Sequence, residues 1–534
     1  MVFSTRNDSP ALAHSFEGVV TSPHTLATDA GREVLRRGGN AVEAAIAMGA
    51  CLGVTYPHFT GLGGDAFMII ADADGGVRTL SGIGQAPKAR LDLSGTLPAR
   101  GAGSLLTTAA TVDTWGQAHE ISRRQCGGTM SWQALLEPAI ALARDGFEVS
   151  PSQRFWLDFR RDEMAELPGV RALFMPDGRL PQEGDTLRQP RLAASLEAIA
   201  TRGHREFYEG ELGARIAKGL AEAGSPLTAV DLAATRARIE APLSVAYRGG
   251  VLLAHRPPTQ GMTTLEIMGI LERFDLSGIE EGSADYYHLL VEAVKRAFLD
   301  RNAHLADPDF ASVPVERLLG TAHLDAQAAH IDPARALDWP PPYQHGDTVY
   351  LAAADRFGNA VSMLQTIYYD WGSGVTAGDT GILWHNRGAA FSLDPNHPNV
   401  LAPGKRPFHT LNPGMYRVNG KPRLLYGTQG ADGQPQTLAA VLTRLIDYGL
   451  DPLSALKAPR FLLGRTFSDG RDTLKLEEDA GAEVVAELAR RGHQVSLLSA
   501  QSALAGHPGA VLLHPEKGAF AAHDPRSDGI ALGL

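Results

Sequence analysis

A short irregular segment splits the chain into two stretches of different periodicity, and that split limits the folds open to it. Residues 329–347 contain Asp332-Pro333, Trp339-Pro340-Pro341-Pro342 and Gln344-His345-Gly346, a composition that reads as an exposed linker. Upstream, the pattern from Trp132 to about Ala223 is mostly helical, and Tyr286 to Asn302 predicts an amphipathic helix. Its apolar stripe is Leu290, Val294 and Ala297, with Glu292, Lys295 and Arg296 elsewhere. Downstream, Thr348 to Asp355 alternates as a strand, Arg356-Phe357-Gly358-Asn359 turns, and Ala360 to Tyr368 runs apolar. That pattern is a hairpin. Arg423 to Tyr426 predicts a further strand, and Thr437 to Tyr448 a helix stopped by Gly449.

The N-terminal part has its own order. Residues 18–70 predict strand, helix, helix, loop and strand. Thr25 to Arg37 is helical and is stopped by Gly38-Gly39. Asn40 then caps Ala41 to Leu52, a helix apolar nearly all round and so expected to be buried. Gly61-Leu62-Gly63-Gly64 leads into the apolar run Ala66 to Ile70, which suits a central strand. With 534 residues and 44% hydrophobic content, the chain can bury a large core. Cys51, in the apolar helix, reads as a core residue.

Several functions are disfavoured. The net charge is -11 and no basic block stands out, so nucleic acid is not an expected partner. The longest apolar run, Ala44 to Val54, is too short to span a membrane. Residues 1–10 carry no basic stretch before an apolar core, which leads to an expectation of a cytoplasmic protein. No glycine-rich loop ends in Gly-Lys-Ser/Thr, and Gly82-Ile83-Gly84-Gln85-Ala86-Pro87 lacks a third glycine. His119-Glu120 lacks a second histidine at zinc-protease spacing, and His288 and His304 read as surface or structural residues.

Thr348, at the end of the linker, is the remaining candidate. A threonine hydroxyl is a poor nucleophile without a base. An N-terminal threonine carries one, its free α-amine, with a pKa near roughly 8. The chain would expose such an amine if Thr348 attacked the Asp347 carbonyl and the resulting ester were hydrolysed. On pattern alone, the simpler reading of Thr348 is a β-branched strand residue.

A resemblance shifts that balance. From residue 18 to the end the chain resembles the γ-glutamyltranspeptidase family. The matching stretches are Ala27–Gly31, Gly38–Ala45, Gly61–Gly64 with Phe67-Met68, Glu206–Gly210, Glu292–Phe298 and Asp307–Phe310. After the linker come Asp355–Ser362, Gly372–Gly374, Lys405–Pro407, Ile446–Leu450, Ala458–Phe461 and Asp524–Arg526. The resemblance implies an α/β fold, a four-layer αββα sandwich of the N-terminal-nucleophile hydrolase type. It implies a proenzyme cleaved into a large subunit, 1–347, and a small one, 348–534, that stay together. No cofactor and no metal are expected, and the cleaved pair could itself form a homodimer. Thr348 falls on the nucleophile position and Thr366 on the position that supports it. Gly427-Thr428-Gln429-Gly430-Ala431 falls on the oxyanion loop, with the N–H groups of Gly430 and Ala431 as donors. Alanine stands at 431 where the family has glycine.

The departures bear on substrate. The family's Thr-Thr-His run is Thr348-Val349-Tyr350 here. Ile83, Ala390 and Tyr368 replace the arginine, aspartate and asparagine that hold a glutamate head group, and His409-Thr410 replaces a pair of serines. Each lost contact is worth about 1–3 kcal/mol, so γ-glutamyl recognition should be severely reduced. Arg387 is the candidate to bind a substrate carboxylate, against an alternative as a structural or surface salt bridge. Tyr368 and Trp371 would narrow the cavity, or simply pack the sheet. His409 and Thr410 could add hydrogen bonds. This pattern resembles the family branch that hydrolyses oxamate to oxalate and ammonia. A γ-glutamyl hydrolase or transpeptidase, a glutaryl-type β-lactam acylase and an uncleaved binding protein with a vestigial site are the alternatives.

Overall fold

The structure, a computed structural model, describes residues 11–175, 178–339, 347–465 and 470–534. The core is two seven-stranded sheets. The first runs Ile530–Gly533, Gly18–Ser22, Asp347–Asp355, Ala360–Tyr368, Asp65–Ala71, Val77–Gly82, Arg238–Glu240. The second runs Ala13–Ser15, Gly518–His523, Pro508–His514, Lys421–Thr428, Gly414–Val418, Gly250–Ala254, Leu243–Tyr247. Neighbours within each sheet pair antiparallel.

The sheets face each other across an apolar layer that includes Phe67, Ile83, Tyr350, Leu364, Met415 and Val511. Both faces of the central strands are covered, so they read as continuous apolar runs. All nine residues of Ala360–Tyr368 are buried. Two glycines let the sheets approach around one bulky ring. A Cβ on Gly427 would lie 2.3 Å from the Tyr350 ring, and one on Gly509 2.7 Å from it.

Helices cover both outer faces. Thr25–Arg36, Ala41–Thr55, Thr111–Gln125 and Trp132–Asp145 enclose one apolar cluster with the outer face of the first sheet. Gly261–Leu271, Ala284–His304 and Gln434–Ile446 do the same for the second. The result is the four-layer αββα sandwich. Asn40 caps its helix as expected, in a reciprocal pair with Glu43. Cys51 is a core residue, and burial pushes its thiol up to about 12.

Two expectations need revision. The helix expected over 286–302 spans Ala284–His304 and is buried on most sides rather than amphipathic. Glu292 and Lys295 lie inside it as an ion pair of 2.8 Å. The helix expected from Thr437 begins at Gln434, because Pro435 suits a first turn, where no N–H partner is needed. Several charged motifs of the family resemblance are also buried pairs. Arg406 binds Asp307 at 2.6 Å, and Arg460 binds Asp524. Of the linker, residues 340–346 lie outside the described residues.

Candidate active site

Thr348 is fully buried near the start of a central strand. The register with the neighbouring strand slips there. Asp347 pairs with Tyr368 and Val349 with Gln365, so Thr366 and Ile367 stand opposite Thr348 alone. A bulge of this kind bends the strand and re-aims a side chain. Thr366 Oγ1 accepts the Tyr368 N–H at 2.7 Å. That turn puts Tyr368 at φ 79°, and Trp371 nearby is at φ 61°. Non-glycine residues in this left-handed region are strained, and such strain collects at functional sites.

The glycine run before Asp65 has a packing role. A Cβ on Gly64 would lie 1.9 Å from the Thr366 carbonyl oxygen, and one on Gly63 2.3 Å from that of Leu383. Only glycine lets this loop lie against both segments. It delivers the buried Asp65 carboxylate into a cluster. Asp65 Oδ1 accepts the Gly84 and Ala110 N–H groups at 2.9 and 3.3 Å. Its Oδ2 lies 3.2 Å from His409 Nε2 and 3.6 Å from His385 Nδ1. His409 Nδ1 accepts the Leu411 N–H at 3.3 Å, so the proton sits on Nε2 and is donated to Asp65. Burial raises the Asp65 carboxyl to about 7, with Arg387 opposing. Burial lowers His385 to about 3 and holds His409 well below the usual range, so both rings are neutral.

Arg387 lies in the short turn Arg387–Ala390 and is fully buried. Its Cζ sits 3.6 Å from the centre of the Tyr368 ring. Its Nη2 reaches Thr410 Oγ1 at 3.5 Å, the limit of hydrogen bonding. Among the described residues Nε and Nη1 are buried without a partner, and Arg387 makes no ion pair within 4 Å. Neither a surface role nor a structural salt bridge fits it. Burial pulls its pKa below the usual guanidinium value, and the nearby Tyr368 and Asp65 oppose that shift.

The segment Gly430-Ala431 closes the other side. Gly430 has φ 129° and Ala431 φ 49°. Among the described residues neither N–H donates to a backbone acceptor. Gln260 Nε2 holds the loop by donating to the carbonyls of Ala431 and Thr410 at 2.7 and 2.8 Å. Arg301 in turn donates to Gln260 Oε1 at 3.0 Å and to Asp432 at 2.8 Å. The helix Gln434–Ile446 starts at this point, and Gln434 Nε2 donates to Thr348 Oγ1 at 3.3 Å. Free N–H groups at a helix start favour negative charge.

Contacts thus run from Thr366 to Tyr368, from Tyr368 to Arg387, from Arg387 to Thr410, and through Gln260 to Ala431, while Thr348 meets Gln434 at the helix start beyond Ala431. Both ring nitrogens of His409 are engaged within the protein. Trp371 packs on Phe174, its rings 5.1 Å apart, and its Nε1 donates to the Trp156 carbonyl, so it packs rather than lines the site. Ile83 is part of the layer between the sheets, and Ala390 is fully buried. Sequence reasoning missed Asp65, Gln260, Arg301 and Gln434. Only Asp65 carried a signal, as the charged residue between a glycine run and an apolar strand.

Two antiparallel sheets between helical layers, with a buried threonine at the start of a central strand, define a hydrolase of the N-terminal-nucleophile class. The sequence profile described as Gamma-glutamyltranspeptidase matches residues 27–534, and the chain belongs to that family. It is 42% identical to the oxamate amidohydrolase proenzyme of Klebsiella pneumoniae, over 97% of this chain and 99% of the relative. It is 41% identical to the glutathione hydrolase-like YwrD proenzyme of Bacillus subtilis, over 97% of this chain and 98% of the relative. Among solved structures it is similar to the cephalosporin acylase from Bacillus halodurans, with a TM-score of 0.89, 32% identity and coverage of 99% and 98% of the two chains. Among the described residues no helix is long and apolar enough to cross a membrane.

Proposed function

We propose that this chain is a self-maturing amidohydrolase that converts oxamate to oxalate and ammonia. The observation that carries this reading is the buried Arg387, whose Nε and Nη1 have no partner among the described residues. A buried cation left without an acceptor is costly, and a small carboxylate held two-pronged by Nη1 and the second N–H of Nη2 would supply one. Oxamate bears its carboxylate directly on the amide carbon, which suits an anion site close to the nucleophile. The resemblance to an oxamate amidohydrolase proenzyme supports the same reading.

Maturation begins when Thr348 Oγ1 attacks the Asp347 carbonyl carbon. The C–N bond breaks as the acyl group moves to oxygen. Water hydrolyses the ester, releasing fragment 1–347 with a new carboxylate and fragment 348–534 with a free α-amine. In turnover that amine takes the Thr348 hydroxyl proton as the oxygen attacks the oxamate amide carbon. The Gly430 and Ala431 N–H groups receive the developing oxyanion. The amine then returns a proton to the leaving nitrogen, and ammonia departs from a threonyl ester. Water, deprotonated by the same amine, cleaves the ester to oxalate. Thr366 supports Thr348 across the bulge, and Thr410 steadies the guanidinium.

Ile83 and Ala390 offer no charge to a glutamate head group, which disfavours γ-glutamyl donors. The test follows ammonia and oxalate release from oxamate by the matured protein, beside a γ-glutamyl anilide and a glutaryl amide. Oxamate turnover with weak use of the other two is expected. A protein that cleaves the glutaryl amide and leaves oxamate untouched is an acylase, and the oxamate reading is then wrong.

A further inference from the structure

We propose that Glu266, Asp300 and His323 form a binding site for one divalent cation of the Zn2+ or Mn2+ kind, in the helical layer outside the second sheet. They come from three helices, Gly261–Leu271, Ala284–His304 and Thr321–Ala329, and one ligand atom from each lies within 4.8 Å of the others. His323 Nε2 stands 3.0 Å from Asp300 Oδ2 and 3.3 Å from Glu266 Oε1. With metal–ligand bonds of about 2.1 Å, the edges of a coordination shell measure about 3.0–3.4 Å. An imidazole with two carboxylates suits metals of this kind.

Two carboxyl groups and one imidazole nitrogen converge at this point. A histidine nitrogen carries one proton and can serve one carboxylate, yet two face it. Glu266 is fully buried, and among the described residues no nitrogen or hydroxyl donor reaches its Oε2. Asp300 and His323 keep 14% and 15% of their side chains exposed, which leaves an entry path and room for water ligands. Gln327 Nε2 donates to Asp300 Oδ2 at 3.0 Å, the kind of outer contact that orients a metal-binding carboxylate.

A second cluster in the same layer is different. His288, Glu292 and His493 also approach one another. There the Glu292 carboxylate already meets Lys295 Nζ at 2.8 Å and the Leu337 N–H at 3.0 Å, so its charge is matched. The Glu266 cluster has no lysine or arginine within 4 Å of its carboxylates among the described residues.

An ion at this position would join the helix that begins after Gln260 to the helix that carries Arg301, the two residues that hold the oxyanion segment. It would also fix the helix that precedes the linker. The full chain, stripped with EDTA, should be titrated with ZnCl2 by calorimetry, with melting followed in parallel. One Zn2+ per chain is expected, with a rise in melting temperature. Glu266→Gln and His323→Ala should each weaken binding by about a hundredfold or more, beyond the roughly 10- to 100-fold typical of losing an outer contact. The metal reading also predicts that the melting order depends on metal. Without metal, Glu266→Gln should melt no lower than the parent, because the amide can donate to the facing Asp300. With Zn2+ it should melt below the parent. A parent that binds no stoichiometric Zn2+, or variants that bind it equally well, overturns the proposal. So does a Glu266→Gln variant that melts lower without metal and responds to Zn2+ as the parent does, since that marks an ordinary hydrogen-bond cluster.

Discussion

Replacing Arg387 by methionine should separate activity from stability in opposite directions. The side chain is fully buried and stacked on Tyr368, and methionine keeps much of its apolar bulk. The guanidinium is buried with Nε and Nη1 unpartnered among the described residues, so its loss removes a desolvation penalty rather than a bond network. Replacing buried charges by apolar groups of similar volume is often neutral or stabilising by about 1–4 kcal/mol. The melting temperature should therefore hold or rise. Self-cleavage should proceed, because maturation involves no substrate carboxylate. Catalysis should suffer. A hydrogen bond to a charged group is worth up to about 3 kcal/mol, which corresponds to a loss in kcat/KM for oxamate of about 10²-fold. Ammonia release against oxamate concentration gives the kinetic number, and a denaturing gel and a melting curve give the other two. A variant with parental kcat/KM refutes the anion site. A variant that melts lower and no longer cleaves itself shows instead that the guanidinium supports the fold.

Three further outcomes are expected. Thr348→Ala should remain a single chain on a denaturing gel while the parent yields two fragments, and sequencing of the smaller parental fragment should start at Thr348; any other start refutes the nucleophile. Asp65, raised from 3.8 to about 7 in the fold, favours its protonated form, so its contribution to stability is full below pH 3.8 and is lost as pH rises through about 7. Asp65→Asn should remove that loss, so its melting temperature should gain on the parent's from pH 4 to pH 8; a constant difference across that range refutes the shift. Ala431 at φ 49° carries a left-handed cost of about 1–2 kcal/mol, while glycine costs about 0.4–1 kcal/mol more in the unfolded chain. Ala431→Gly should then be slightly stabilising and remain active, and a clear drop in denaturant midpoint would show that alanine makes contacts the backbone argument ignores.

The sequence made the scaffold legible where periodicity is long and punctuated. The hairpin after Thr348, the capped helix after Asn40 and the strand after the glycine run all lie where the pattern places them. The buried ion pairs were hidden, because Glu292 and Lys295 look like a solvated helix face until another layer covers them. At the site, the left-handed backbone at Tyr368 and Trp371 had no signature, since neither residue favours it. The partners of the oxyanion segment were illegible for a different reason. Gln260 and Arg301 are far from Ala431 in sequence and ordinary in type, and only the fold brings them together. The same holds for Glu266, Asp300 and His323, whose spacing matches no metal motif.

Each sheet is woven from both sides of the Asp347–Thr348 bond. The Asp347–Asp355 strand lies between Gly18–Ser22 and Ala360–Tyr368, and Gly414–Val418 lies between Gly250–Ala254 and Lys421–Thr428. The last residue is tied to the first sheet as well, with the Leu534 N–H donating to the Gly18 carbonyl. A cut at that bond would free two chain ends and release neither partner. To separate, the fragments would have to peel apart both sheets, and that is global unfolding. The lifetime of the association is then the lifetime of the fold, and simple dilution, which drives apart subunits that meet only at a surface, would have no purchase on it.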